Sequence, residues 1–391
     1  MVKSGNTYRI AFVSTMGGVP WGGSEELWSQ TAMHMKKLGH DIRVSVYDWP
    51  QRHGRLGELA SAGADVSFRP RGLTFAGRMK GKLLTKISGN SLDRAVLSWL
   101  REQAPELVVI SQGYTMDGVP WMSACRELGL AYCPIIHANS EAWWPEDGEL
   151  ESLRSGFSGA RKLFFVSRPN QNLMEMQCGM RFEEAEIVVN PWKVDASEPV
   201  PWPDSDEVME IACVGRLDPR AKGQDVLMQV LAQEKWKARP LRLNVYGDGP
   251  CEHSLKALSG LFDLKNVSFK GQVSEVRTIW AKNHAMILPS RFEGLPLVIV
   301  EAMFCGRMVI TTEVAGNTEH IIDGVNGFVA AAPTWKLLDD AMERAWSRKS
   351  EWREIGAKAR DHVIAEIPEN PIQLFSQKLH ALCQDACPPG F

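Results

Sequence analysis

Two cations and two carboxylates in the second half of the chain have the types and spacing for chemistry. Val214-Gly-Arg-Leu-Asp-Pro-Arg-Ala-Lys-Gly223 places Arg216 and Lys222 in a loop between an apolar run and a helical pattern. Two positive side chains beside a helix amino terminus suit a diphosphate. A solvated charged surface is the plain alternative, and the flanking glycines, Gly215 and Gly223, argue against it by letting backbone come close to a ligand. Downstream, Pro289-Ser-Arg-Phe-Glu-Gly-Leu-Pro-Leu-Val-Ile-Val-Glu-Ala-Met303 puts Glu293 in a loop and Glu301 about one turn into an otherwise apolar helix. An unpaired buried carboxylate is costly, so Glu301 needs a partner: a sugar diol, or a cation on a neighbouring helix. The amides of Gly294, Leu295 and Leu297 can cap a phosphate, whereas Pro296 has none to give. Gly247-Asp-Gly-Pro250 repeats the glycine theme through Gly247 and Gly249, where a plain turn is the simpler reading. Glycines recur in Ala315-Gly-Asn-Thr-Glu319 and Asp323-Gly-Val-Asn-Gly327.

These residues need a frame. Residues 8–14 form an apolar run of strand length, followed by Gly17, Gly18, Gly22 and Gly23. Leu27, Trp28, Thr31, Met35 and Leu38 then recur at helical spacing, with Glu25 and Glu26 in the first turn and Lys36 and Lys37 in the last, as the helix dipole prefers. Strands are expected at residues 41–47, 107–111, 131–137 and 162–167, with helical stretches between. Residues 197–207 hold Pro199, Pro201 and Pro203 among acidic and small residues and read as a linker. The alternation restarts with strands at residues 209–214, 241–246, 284–289 and 308–312, and ends in three helical pieces beyond Pro333. Strand–helix alternation predicts two mostly parallel sheets, each covered on both faces. The expected domains are residues 1–196, a linker at 197–207, a second domain at 208–370, and a terminal helix at 371–391 that can cross back onto the first domain. Ligands of open α/β sheets bind outside the carboxyl ends of the strands, so the two edges are expected to face a cleft.

Composition narrows the class. The chain has 391 residues, 44% hydrophobic and 23% charged, which argues for a folded protein of about two or three domains. Its formal charge of −3 argues against a duplex-DNA binder. No run approaches the ~18 apolar residues of a membrane span, and residues 10–13 are too short for a signal-peptide core. The eight cysteines show no paired metal spacing, so reduced thiols and a cytoplasmic location, without a zinc site, are expected. Residues 69–86 carry six cations and no acid, which suits a phosphorylated acceptor or peripheral contact with an anionic membrane, a solvated loop being the alternative.

Taken in order, Gly22-Gly-Ser-Glu25, Gly215-Arg-Leu with Lys222-Gly223, Gly247-Asp-Gly-Pro250, the Glu293 and Glu301 pair, Gly316 with Glu319, and Asp323-Gly-Val-Asn-Gly-Phe328 resemble a known family. The chain looks like a GT-B glycosyltransferase of the retaining family 4, over residues 8 to about 330. The resemblance implies two Rossmann-like, doubly wound parallel-sheet domains. It implies transfer of a hexose from a nucleotide-diphosphate sugar, UDP-sugars being favoured, to an acceptor hydroxyl of a sugar, lipid-linked sugar or natural product. Arg216 and Lys222 would neutralise the diphosphate, Glu301 would accept from the ribose, and Glu293 would contact the sugar with help from the Gly294 and Leu295 amides. Gly22 and Gly23 would let the first loop approach phosphates and sugar, and His137 would lie near the reacting sugar. The family's Asn-Gly-Val-Asp is replaced here by Asn190-Pro-Trp-Lys-Val-Asp195.

No acidic triplet marks a metal site, so the cations are expected to replace Mg²⁺, with no cofactor. The first domain is expected to bind the acceptor, and Trp143 and Trp144 offer stacking faces, core packing or a lid being the plainer reading. A nicotinamide dehydrogenase is disfavoured because the first glycines lack the Gly-x-Gly-x-x-Gly spacing. A nucleotide-sugar epimerase on the same fold and a non-catalytic two-lobed sugar-binding protein are the remaining alternatives.

Overall fold

A computed structural model of the chain describes residues 7–71, 85–195 and 200–386. It divides into two compact units, Met1–Pro191 with Glu369–Phe391, and Trp192–Pro368. The first holds a seven-stranded sheet of β1 (Arg9–Ser14), β2 (Asp41–Tyr47), β3 (Asp65–Arg69), β4 (Leu107–Gln112), β5 (Tyr132–Ile136), β6 (Phe164–Phe165) and β7 (Glu186–Ile187). The order is β3-β2-β1-β4-β5-β6-β7, and every pair is parallel. Strand β1 pairs Ile10 with Ile42 on one side and Leu107 on the other. All six residues of β4 are buried, as a strand covered by helices on both faces must be. The core on one face gathers Val13, Ile110, Trp121, Phe157, Met174 and Phe182. The last helix, Pro371–Ala386, belongs to this unit: Phe375 meets Phe164 edge-on at 5.1 Å, and Lys378 pairs with Glu186.

The second unit has six parallel strands: β8 (Met209–Val214), β9 (Leu241–Tyr246), β10 (Val267–Gly271), β11 (Ala285–Leu288), β12 (Met308–Thr312) and β13 (Gly327–Ala330), ordered β10-β9-β8-β11-β12-β13. Trp236, Leu243, Ile287, Phe328, Leu338 and Trp352 build its core. In each sheet the order reverses beside the first strand, between β1 and β4 and between β8 and β11. Such a switch point leaves a crevice at the carboxyl edge, because successive loops diverge there.

The chain passes into the second unit at Trp192, earlier than residue 196, because Trp192 packs on Phe304 with ring centroids 4.8 Å apart. The proline-rich stretch is also not a free linker where it is described. Pro201 gives its carbonyl to the buried Arg307 guanidinium, and Trp202 lies under that guanidinium at 5.0 Å and edge-on to His284 at 5.3 Å. Proline cannot donate, but its carbonyl can satisfy a buried cation, so the segment straps the second sheet. Residues 196–199 lie outside the described residues.

Candidate active site

The second unit's switch point gathers Arg216, Lys222 and Glu293. Strand β8 ends in Gly215, and Arg216 follows. A short helical turn, Pro219–Lys222, carries Lys222 back, and the helix Gln224–Leu231 begins after Gly223. The Lys222 Nζ lies 2.5 Å from Glu293 Oε1, which also accepts from Ser290 Oγ at 2.7 Å. Arg216 pairs with Asp218 at 3.4 Å, and its carbonyl accepts from Gln224 Nε2 at 2.8 Å. Arg291 anchors the same loops, with both guanidinium nitrogens on Asp225 at 2.6 and 2.8 Å. Such a paired fork holds its geometry well.

Two glycines act differently from the expectation that they admit a ligand. At Gly223 (φ +65°) a Cβ would sit 1.9 Å from the Pro289 carbonyl oxygen. At Gly247 (φ +122°) it would sit 2.2 Å from the Gly215 oxygen. Both allow the loops after β8, β9 and β11 to pack backbone against backbone, so they build the crevice rather than line an opening. Gly249 lies in the same turn, where the Leu217 amide donates to the Asp248 carbonyl at 2.7 Å. Gly294 accepts at its carbonyl from the Gly316 amide at 2.7 Å, which steadies the loop carrying Gly294 and Leu295 ahead of the helix Leu297–Phe304.

Glu301 lies buried in that helix, and its Oε1 accepts from the Lys193 amide at 3.0 Å. A backbone amide therefore answers its need for a partner. The Asn190-Pro-Trp-Lys segment thus has a structural role, because Trp192 seats on Phe304 and brings the Lys193 amide to Glu301. Asp218, Ser290, Gln224 and Lys193 escape a reading of the sequence as site residues. Only Asp218, beside Arg216, leaves a signal there, as a carboxylate among cations.

In the first unit, β1 leads into residues 15–23, and a helix, Ser24–Lys37, starts after Gly22 and Gly23. Glu25 is buried in its first turn, accepting from Ser14 Oγ and Trp28 Nε1, each at 3.0 Å. His137 follows β5 and is 5% exposed, with neither ring nitrogen partnered among the described residues. Burial pushes its imidazole down to about 3, so it is neutral near pH 7. Trp143 ends a short turn, Glu141–Trp143, edge-on to Tyr114 at 4.8 Å, while Trp144 is 57% exposed. Trp144 is therefore free to stack, and Trp143 already has a ring against it. Arg69 is not part of a solvated basic loop. It closes β3, donating to the Ser14 carbonyl and to Ser45 Oγ (3.0 Å), with its guanidinium 4.0 Å from the Tyr47 ring. Arg71 stacks on Trp49 at 4.1 Å. The rest of the basic stretch, residues 72–84, lies outside the described residues.

Comparison with known proteins finds similarity to glycosyltransferases over part of the chain. Residues 209–348 match the family model described as glycosyl transferases group 1. The polysaccharide biosynthesis protein VipC/TviE of Salmonella typhi is 34% identical over 113 residues, 29% of this chain and 20% of that protein. The alpha-D-kanosaminyltransferase of Streptomyces kanamyceticus is 30% identical over 134 residues, 34% of each chain. This chain thus spans only a fifth to a third of these relatives in the match. In fold it is similar to Anabaena Alr3699/HepE, solved with UDP, at TM-score 0.73 and 18% identity over 95% of this chain and 100% of that one. Residues 209–348 of the second unit are thus similar to group 1 glycosyltransferases, and the two parallel-sheet α/β units have the GT-B fold. No helix among the described residues is long and apolar enough to cross a membrane.

Proposed function

We propose that the chain is a retaining glycosyltransferase of family 4. It would transfer a hexose from a nucleotide-diphosphate sugar, a UDP-sugar first of all, to an acceptor hydroxyl in polysaccharide or glycoconjugate synthesis. The observation that carries this reading is the Lys222–Glu293 pair at the β8/β11 switch point, inside the matched domain. Lys222 and Arg216 would hold the diphosphate, Glu293 the transferred sugar and Glu301 the ribose. Negative charge grows on the leaving diphosphate as the sugar–phosphate bond breaks, so cations aimed there act more strongly in the transition state than in the ground state. In this reading they stand in for Mg²⁺, and activity persists in a chelator. The donor choice is supported by Anabaena HepE, a fold neighbour solved with UDP-glucose, and the pathway by VipC/TviE. The first unit would present the acceptor hydroxyl beside neutral His137, with Trp144 as a stacking face.

The deciding experiment is nucleotide release from UDP-, GDP-, ADP- and dTDP-sugars, preceded by a thermal-shift panel of the four diphosphates. A nucleotide at 100 times its Kd adds about 2.7 kcal/mol to stability. Binding of none of the four ends the reading. Release that occurs without an acceptor, with an altered sugar left on the nucleotide, favours an epimerase.

A further inference from the structure

The turn that carries Lys222, Pro219–Lys222, is four residues long, too short to hold its shape unaided. One residue of the neighbouring loop holds it. Arg291 donates through its backbone amide to the Ala221 carbonyl at 2.7 Å, and through Nη1 to the Pro219 carbonyl at 2.5 Å. Its guanidinium also forks onto Asp225, at 2.6 and 2.8 Å, in the first turn of the helix that follows. Arg291 thus grips the chain before, within and after the Lys222 turn. Glu293 stands two residues further along the same loop, where Ser290 Oγ donates to its Oε1 at 2.7 Å. Lys222 Nζ reaches that same oxygen at 2.5 Å. Among the described residues Arg291 makes no hydrogen bond or ion pair with the side chain of Lys222 or Glu293; its ion pair is with Asp225.

We propose that Arg291 is a positioning residue, which sets the separation of Lys222 and Glu293 by clamping the loop of one to the turn of the other. Two features support it. The clamp uses the planar fork of a guanidinium: two carboxylate oxygens and one carbonyl are held by a single group, an arrangement that the point charge of an ammonium does not reproduce. Both terminal nitrogens are engaged within the protein, so Arg291 acts through its neighbours rather than as a third cation on a ligand. The backbones it joins also leave no slack, since a Cβ at Gly223 would meet the Pro289 oxygen at 1.9 Å. In so close a packing, a shift at Arg291 carries Lys222 with it.

The effect of Arg291 on turnover rests on the glycosyltransferase reading; its effect on geometry does not. Arg291→Lys keeps the charge and removes the fork, and Asp225→Asn removes one charged arm should the first variant melt early. Both are made in the full chain and assayed with whichever UDP-, GDP-, ADP- or dTDP-sugar the wild type uses. Arg291→Lys should lower kcat roughly 10²-fold with the donor KM within about threefold of wild type, since a misplacement of ~1 Å is felt in the transition state. Asp225→Asn should move kcat in the same direction by less. Normal turnover in both variants overturns the proposal, and so does a donor KM that rises while kcat holds, which would make Arg291 a ligand contact. Added to Lys222→Ala, Arg291→Lys should cost nothing further, because the residue it positions is gone; a second loss of roughly 10²-fold would show independent structural damage and overturns the proposal. A crystal structure of whichever variant folds should show Lys222 Nζ and Glu293 Oε1 parted beyond the ~4 Å of an ion pair, and an unmoved pair overturns the proposal. If the wild type releases nucleotide from no donor, the enzyme reading falls, while a parted pair in that structure still supports the positioning role and an unmoved one still ends it.

Discussion

The two sheet edges handle charge in opposite ways. At the edge of the second unit, acids and bases are matched: Lys222 on Glu293, Arg216 on Asp218, Arg291 on Asp225. At the edge of the first, Glu25 and His137 are buried and Asp117 is half-buried, with too few opposite charges, and desolvation drives each toward its neutral form. A low-dielectric interior allows either solution, a partner or a proton. Matched pairs keep their charge. Groups kept neutral by protonation state respond to pH instead.

The contrast can be broken by substitution. The largest effect is expected at the second edge's frame. Gly223→Ala drives a methyl against the Pro289 carbonyl in left-handed backbone and should destabilise by about 4 kcal/mol, read as an early urea transition. A normal melt would mean that the loops can separate cheaply. Next, Lys222→Ala should lower donor turnover roughly 10²–10³-fold while leaving the melt near wild type. Near-normal turnover in both Lys222→Ala and Arg216→Ala removes those residues from the diphosphate.

At the first edge the expected effect is a pH slope. Glu25 is raised from 4.5 to about 7, so between those values the folded state binds a proton that the unfolded state has released. Stability therefore falls as pH rises from about 4.5 to 7, by at most about 3 kcal/mol. Glu25→Gln should remove that part of the slope. His137 acts in the other sense: its imidazole is lowered from 6.5 to about 3, so its contribution is lost as pH falls below 6.5. The difference between wild type and Glu25→Gln isolates the carboxyl, and parallel stability curves would show that Glu25 stays ionised. The smallest effect belongs to a pair on neither edge. Lys256 and Glu252 are exposed one turn apart, and Lys256→Ala should change stability by less than about 0.5 kcal/mol. A larger loss would place that helix in a contact beyond the pair.

Periodicity and order along the chain were enough to read much of this molecule. Four strands, β2, β8, β9 and β12, have the bounds the sequence predicts, because core-facing positions of a strand must be apolar, as at Ile42, Val44 and Val46 of β2 and throughout the buried Met308-Val-Ile310 of β12. The four edge strands β3, β7, β10 and β13 escaped, since each is only two to five residues long and sequences such as Asp-Val-Ser-Phe-Arg show no apolar run. Motif order pointed to Arg216, Lys222 and Glu293, because loops after parallel strands must converge on one edge. What lies on the far side of each residue was decided only in three dimensions. Lys193 on Glu301, Pro201 on Arg307, and Arg69 reaching Ser14 join positions 108, 106 and 55 residues apart. A residue's own type announces that it needs a partner; which distant group supplies one depends on how the chain packs.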